Sequence, residues 1–196
     1  MMGLEFVLAT ANAHKAVEIR AVLAEVGVDV VERPSDVPDV DETSDTLEGN
    51  ALQKARAVCE ATGRPAIGDD TGLFVNALNG EPGVRSARYA GPAAIDADNV
   101  RKLLSALSEV DVANRAAHFR TVIAVAYPDG SAVTVEGVLD GWIVDQPRGE
   151  RGFGYDPVFA SDELRGRTLA EVSANEKNAV SHRARALAAL AERLRP

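Results

Sequence analysis

The sequence predicts an α/β protein built on a mixed β-sheet. Three observations carry that reading. Short strand patterns alternate with helical patterns early in the chain. The clearest β signal comes late, as two runs joined by Pro128-Asp129-Gly130. Between them, an apolar run ends in two adjacent acids, Asp69 and Asp70, then Thr71 and Gly72, before apolar residues resume. Strands separated by helices favour parallel pairing and a hairpin is antiparallel, so the sheet is not purely either.

In chain order, residues 5–9 read as a first strand. A helix follows with Ile19, Val22, Leu23 and Val26 on one face, stopped by Gly27. Residues 28–31 read as a second strand and residues 34–44, acidic and Pro-containing, as a loop. Asp45-x-x-Glu48 has the form of a capping box. The helix after it carries Ala51, Leu52, Ala55, Val58 and Cys59 on one side and ends at Gly63. Residues 66–68 form the central strand, and the acids are placed in a tight turn at its end. Residues 74–78 pair with a neighbour or bend at Asn79-Gly80. Residues 81–92 are loop-like. A third helix buries Val100, Leu103, Leu104 and Leu107. The hairpin pairs residues 117–127 with 132–139, and Trp142-Ile143-Val144 extends the sheet. Residues 147–157 are glycine-rich, and Thr168-x-x-Glu171 caps a short turn. One last helix runs from Asn175 with Val180, Leu187, Leu190, Ala191 and Leu194 at helical spacing. No repeat, low-complexity segment or linker interrupts the chain, which reads as one domain over residues 1–196.

Composition narrows the classes. With 196 residues, 46% of them hydrophobic, a sizeable core can form. No apolar run approaches membrane-spanning length and no basic-then-apolar leader pattern opens the chain. Cys59 is the only cysteine, which excludes an intramolecular disulfide and a multi-cysteine zinc site and fits a reducing cytoplasm. A formal net charge of -9 repels nucleic acid polymers but permits a small anion in a local basic pocket.

Four groups carry candidate chemistry. Two like charges side by side resist burial, so Asp69 and Asp70 are either a solvated turn or a divalent cation site where one carboxylate handles a water. The stretch Thr10, Ala11, Asn12, Ala13, His14, Lys15 joins a strand to a helix N-terminus. There, free N–H groups, Thr10, Asn12 and Lys15 make a phosphate cradle or a simple helix cap; Walker spacing is absent. In Gly149-x-x-Gly152-Phe153-Gly154-Tyr155-Asp156-Pro157 the aromatics either face a base or plug the core. Lys177, His182 and Arg183 offer donors to an oxo group or form a solvated helix face. On a continuous helix, Lys177 and His182 would lie about 140° apart. Together these groups describe a nucleoside triphosphate pocket.

The chain resembles the noncanonical purine nucleoside triphosphate pyrophosphatases, of the inosine triphosphate pyrophosphatase type, over essentially its whole length. The landmarks are Thr10-x-Asn12-x-x-Lys15, Asn50-Ala51 with Lys54-Ala55, Asp69-Asp70-Thr71-Gly72-Leu73, Ser86-Ala87-Arg88-Tyr89, Gly152-Phe153-Gly154-Tyr155-Asp156-Pro157, and Lys177 with Ser181-His182-Arg183. The resemblance implies Mg²⁺-dependent hydrolysis of ITP, dITP, XTP and dXTP to the monophosphate and pyrophosphate. It also implies an elongated mixed sheet with flanking helices, two lobes around a central cleft, and a homodimer. By position, Asp70 is the proton acceptor and a metal ligand. Thr10 to Lys15 bind phosphates and Thr71 the substrate. Phe153, Gly154, Tyr155 and Asp156 bind the base and sugar region, and Lys177, His182 and Arg183 the base. This chain has Gly49 where the family often has Glu, so the second metal ligand is expected to be Glu42, with Glu48 the alternative. Three rivals remain: a noncatalytic nucleotide sensor, an aspartyl-phosphate phosphatase, and a structural or interaction domain. The second is disfavoured because the acids are adjacent rather than D-x-D, the third because the sequence suggests no large exposed apolar patch or sustained heptad.

Overall fold

The structure, a computed structural model, describes residues 5–10, 12–25 and 27–194; Ala11 and Val26 lie outside the described residues. The chain opens with β1 (Phe6–Leu8), α1 (Ala13–Glu25) and β2 (Val30–Val31), then α2 (Leu47–Thr62) and β3 (Ala66–Val75). It continues through β4 (Pro82–Gly83), α3 (Asp96–Ala106), β5 (Ala116–Ala126), β6 (Ala132–Ile143) and β7 (Phe159–Ala160), and ends in α4 (Ala174–Val180) and α5 (His182–Leu194). The seven strands form one sheet in the order β2-β1-β3-β5-β6-β7, with β4 paired to β3. β1 is parallel to β2 and to β3, while β4 runs antiparallel to β3 and β7 to β6, so the sheet is mixed as expected.

The chain divides into two compact units. The first holds the residues up to Asp70, then Thr121–Gly137, then His182 onward; the second holds Thr71–Arg120 and Val138–Ser181. Each unit has its own apolar core. In the first, Ile19 and Leu23 of α1, Ile67 of β3, Ile123 and Val125 of β5, and Leu187 and Leu190 of α5 pack together. In the second, Leu73 and Val75 pack with Val100 and Leu103 of α3, Phe119 of β5, and Phe159 of β7. Each fully buried Leu or Ile contributes about 1.5–3 kcal/mol relative to exposure. Among the described residues no helix is long and apolar enough to cross a membrane.

Helix α2 meets its expectation at its C-terminus, where Gly63 takes the left-handed conformation and its N–H bonds the Cys59 carbonyl. Three local expectations change. The N-cap of α2 is Thr46, not Asp45: the Thr46 hydroxyl accepts the Gly49 N–H at 3.0 Å. The turn expected at residues 69–72 does not form, because β3 runs unbroken through it. Ladder bonds to its neighbours outweigh the turn composition, and Gly72 lies so close to β4 that a Cβ there would sit 2.6 Å from the Gly83 carbonyl oxygen. Finally, the single C-terminal helix is two. Ser181 ends α4 with an extended backbone (ψ 153°), and α5 begins at His182. Lys177 and His182 therefore ride on different helices, and the angle drawn from a continuous helix does not apply.

Candidate active site

The first unit gathers Asp69, Asp70, Glu42, Lys15, Lys54, His182 and Arg183 from both sides of one strand. Successive side chains of a strand point to opposite faces. That alternation separates the two acids that the sequence placed side by side. Asp70 and Gly68 face α2. A Cβ on Gly68 would sit 2.4 Å from the Ala51 carbonyl oxygen and 2.8 Å from the Ala55 nitrogen, so only glycine lets α2 approach this near. That approach sets Asn50 and Lys54 against Asp70. Asp69 faces away from them, toward α1 and α5.

On the α2 face, the Asn50 amide donates to Asp70 Oδ2 at 3.0 Å, and its own Oδ1 accepts the Ser44 N–H at 2.9 Å. Asn50 is fully buried. Lys54 Nζ lies 2.8 Å from Glu42 Oε1 and 3.5 Å from Asp70 Oδ1, bridging the two carboxylates. Burial pushes the Asp70 carboxyl above its ordinary value; Lys54 opposes the rise and Glu42 adds to it. The Lys54 ammonium is raised in turn. Burial favours its neutral form, but Asp69, Asp70 and Glu42 more than offset that.

On the opposite face, Lys15 Nζ reaches Asp69 Oδ2 at 2.9 Å and Arg183 Nε stands 3.9 Å from the same oxygen. Burial alone would raise the Asp69 carboxyl, yet Lys15, Arg183 and Lys54 hold it down at about 2. Arg183, only 2% exposed, is paired beyond Asp69 with Glu18 of α1. His182 is buried at the first position of α5. The expected cradle begins as a cap: Asn12 Oδ1 accepts the Lys15 N–H at 3.1 Å, and the Asn12 N–H bonds the Thr10 hydroxyl at 3.2 Å. Ala13 and His14 are exposed in the first turn of α1.

The second unit holds Thr71 and the glycine–aromatic loop. Asp156 is buried and accepts both the Phe153 N–H at 3.0 Å and Lys177 Nζ at 2.6 Å. The same ammonium lies 4.8 Å from the centre of the Phe153 ring, a cation–π contact. Gly154 donates its N–H to Asp96 at 2.7 Å. Tyr155 plugs the core, its hydroxyl donating to the Ser86 carbonyl at 2.9 Å; burial pushes that hydroxyl well above its usual range. Phe153 is half-buried. The two aromatics therefore split the alternatives between them, Tyr155 going to the core.

Glu42 and Asp70 fit a Mg²⁺ site by donor chemistry: both are hard oxygen donors, brought together around the Lys54 ammonium. Among the described residues, no group of three or more His, Cys, Asp or Glu side chains could hold a metal ion alone. Such a site would rely on one or two carboxylates plus ligand phosphates, the usual Mg²⁺ arrangement. Glu48 is exposed and hydrogen-bonded by Thr134 at 3.4 Å, whereas Glu42 is among the charges acting on Asp70. A side chain at residue 49 would start 2.0 Å from the Ser44 hydroxyl, so the loop fastened by Ser44 and Thr46 requires glycine there. Asn50, Lys54 and Glu18 carry no role in the sequence reading, and Asp69, read there with Asp70 as a candidate cation site, instead pairs with Lys15. Lys54 stands four residues after Asn50 on α2, a spacing that puts both on one helix face and could have signalled it.

A mixed α/β sheet with buried carboxylates and ammonium groups on either side of its central strand defines a protein equipped to handle charged small ligands. The chain belongs to the Ham1 family, which it matches over residues 6–193. A dITP/XTP pyrophosphatase of Geobacillus kaustophilus is 50% identical over 191 residues, covering 96% of this chain and 93% of that protein. One from Symbiobacterium thermophilum is 49% identical over 188 residues, with 96% and 93% covered. A solved HAM1 protein structure from Coxiella burnetii aligns with a TM-score of 0.89 at 42% identity, over 97% of this chain and 98% of that one.

Proposed function

We infer that this chain hydrolyses noncanonical purine nucleoside triphosphates (ITP, dITP, XTP and dXTP) to the monophosphate and pyrophosphate. The observation that carries the chemistry is Asp70: a buried carboxylate with a raised pKa, held by Asn50 and facing Glu42 across Lys54. The relatives named dITP/XTP pyrophosphatases support the substrate class.

Asp70 orients the attacking water and accepts its proton; a carboxylate with a raised pKa is a better base than an exposed one. Asn50 keeps that carboxylate in one orientation. Lys15 and Lys54 supply positive charge for the phosphates. Glu42 and Asp70 would hold Mg²⁺, which when bound stabilises charge on the phosphoryl oxygens. His182, Arg183 and Lys177 are the proposed readers of the purine 6-oxo group. Adenine presents an amino group there, and each buried donor left unpaired costs about 1–3 kcal/mol. The homodimer and the cytoplasmic location belong to the same proposal, supported by the family resemblance and by the lone Cys59 thiol, which is buried.

A panel of ITP, XTP, GTP and ATP with added Mg²⁺, read separately for pyrophosphate and orthophosphate, tests the reading. Pyrophosphate from ITP and XTP, lost in Asp70→Asn, is expected. Orthophosphate as the only product would overturn the cleavage position, and tight ITP binding without turnover would favour the sensor. Sedimentation velocity reads the dimer.

A further inference from the structure

The carboxylate that the proposed mechanism leaves unused is Asp69. It is 1% exposed, at the centre of the first unit. A buried carboxylate without a role is costly, so its partners indicate what it is for. One is Lys15, at 2.9 Å, the single lysine of α1 and the charged member of the phosphate-binding stretch. The other is Arg183, with Nε at 3.9 Å, the second residue of α5. Glu18, one helical turn after Lys15, closes on Arg183 from the far side. Four charges thus form a chain, Lys15–Asp69–Arg183–Glu18, that ties α1 and α5 to β3.

We propose that Asp69 is a positioning residue, which through this chain sets the Lys15 ammonium for the substrate phosphates and fixes Arg183 at the head of α5. The assignment rests on the hydrolase reading for its substrate. Lys15 is a long, flexible side chain; left to itself it spreads over many rotamers, and ordering it on binding costs conformational entropy. Asp69 removes most of that freedom before the ligand arrives. Its influence therefore falls on phosphate binding more than on the water-activating step at Asp70.

The test is a double-mutant cycle of Asp69→Asn and Lys15→Met, read by KM and kcat for ITP with Mg²⁺ and, independently of turnover, by calorimetric binding of inorganic tripolyphosphate. Each single variant is expected to raise KM about tenfold with kcat within about threefold, and the double variant to be no worse than Lys15→Met alone. Multiplying effects, or a kcat loss as large as that of Asp70→Asn, would overturn the proposal. Asp69→Glu guards against misfolding of the neutral variant. It keeps the charge but shifts the carboxylate by one methylene, and is expected to keep the melting temperature while KM stays raised about fivefold or more. Full recovery of KM by Asp69→Glu would refute positioning. Should the wild-type protein release no pyrophosphate from ITP, the hydrolase reading fails, while the tripolyphosphate arm still decides whether Asp69 acts through Lys15.

Discussion

The two faces of β3 carry the same side chain at neighbouring positions and treat it in opposite ways. On one face Asp69 and Glu18 meet Lys15 and Arg183, two acids against two cations. On the other, Asp70 and Glu42 meet the ammonium of Lys54. Lys15 and Arg183 hold the Asp69 carboxyl down at about 2 against its burial, whereas at Asp70 the Glu42 carboxylate adds to the rise that burial begins. Burial is nearly equal at the two positions, so local charge balance decides. The cations beside Asp69 favour its charged form, and the second acid beside Asp70 favours a bound proton or cation there. In the second unit, Asp156 meets Lys177 at 2.6 Å much as Asp69 meets Lys15.

Several measurements would break or sharpen this contrast. The largest effect is expected at Asp70: Asp70→Asn lowers kcat for ITP about 10²–10⁴-fold, read by pyrophosphate release, with KM little changed. Gly68→Val should follow, because its Cβ would press on the α2 backbone; a loss of about 1–3 kcal/mol in urea unfolding is expected, together with loss of turnover. Lys54→Met removes the ammonium between Glu42 and Asp70. Calorimetry without nucleotide should then show Mg²⁺ binding tighter by about tenfold, whereas Lys15→Met on the Asp69 face should change it less. The smallest effect lies far from either face. Glu176 accepts the Ser173 N–H at 2.9 Å and pairs with Arg167 at 2.8 Å, which together hold it down at about 2 from an ordinary 4.5. The stability it contributes is fully present above pH 4.5 and is lost as pH falls toward 2. Glu176→Gln should therefore flatten the acid limb of melting temperature against pH in that window.

Where a pattern was local, the sequence told the truth. The periodicity of α2 and its stop at Gly63, and the hairpin through Pro128-Asp129-Gly130, need only neighbours within a few residues to be read. Asp-Asp-Thr-Gly looked like a turn for the same reason, since its composition is turn-like and the ladder partners that straighten it come from distant segments. Ser181 carries no strong helix-breaking signature, so the split between α4 and α5 was silent. Of the candidate site, Asp70 and Lys15 were legible as charged residues beside strand or helix ends, and Glu42 only through the family resemblance. Their neighbours were not: Asn50 and Glu18 matter only because Gly68 and the packing of α1 on α5 bring them to the strand. Division of the acid pair between two faces follows from strand geometry alone, and was hidden only by the expectation of a turn.

Asn50 has one more consequence. Its oxygen is committed to the Ser44 N–H, so the amide cannot flip, and its nitrogen always faces Asp70 Oδ2. The two oxygens of that carboxylate are thereby made unequal. One is anchored by a neutral donor, while Oδ1 faces the Lys54 ammonium at 3.5 Å. A symmetric functional group has acquired a front and a back from one buried amide.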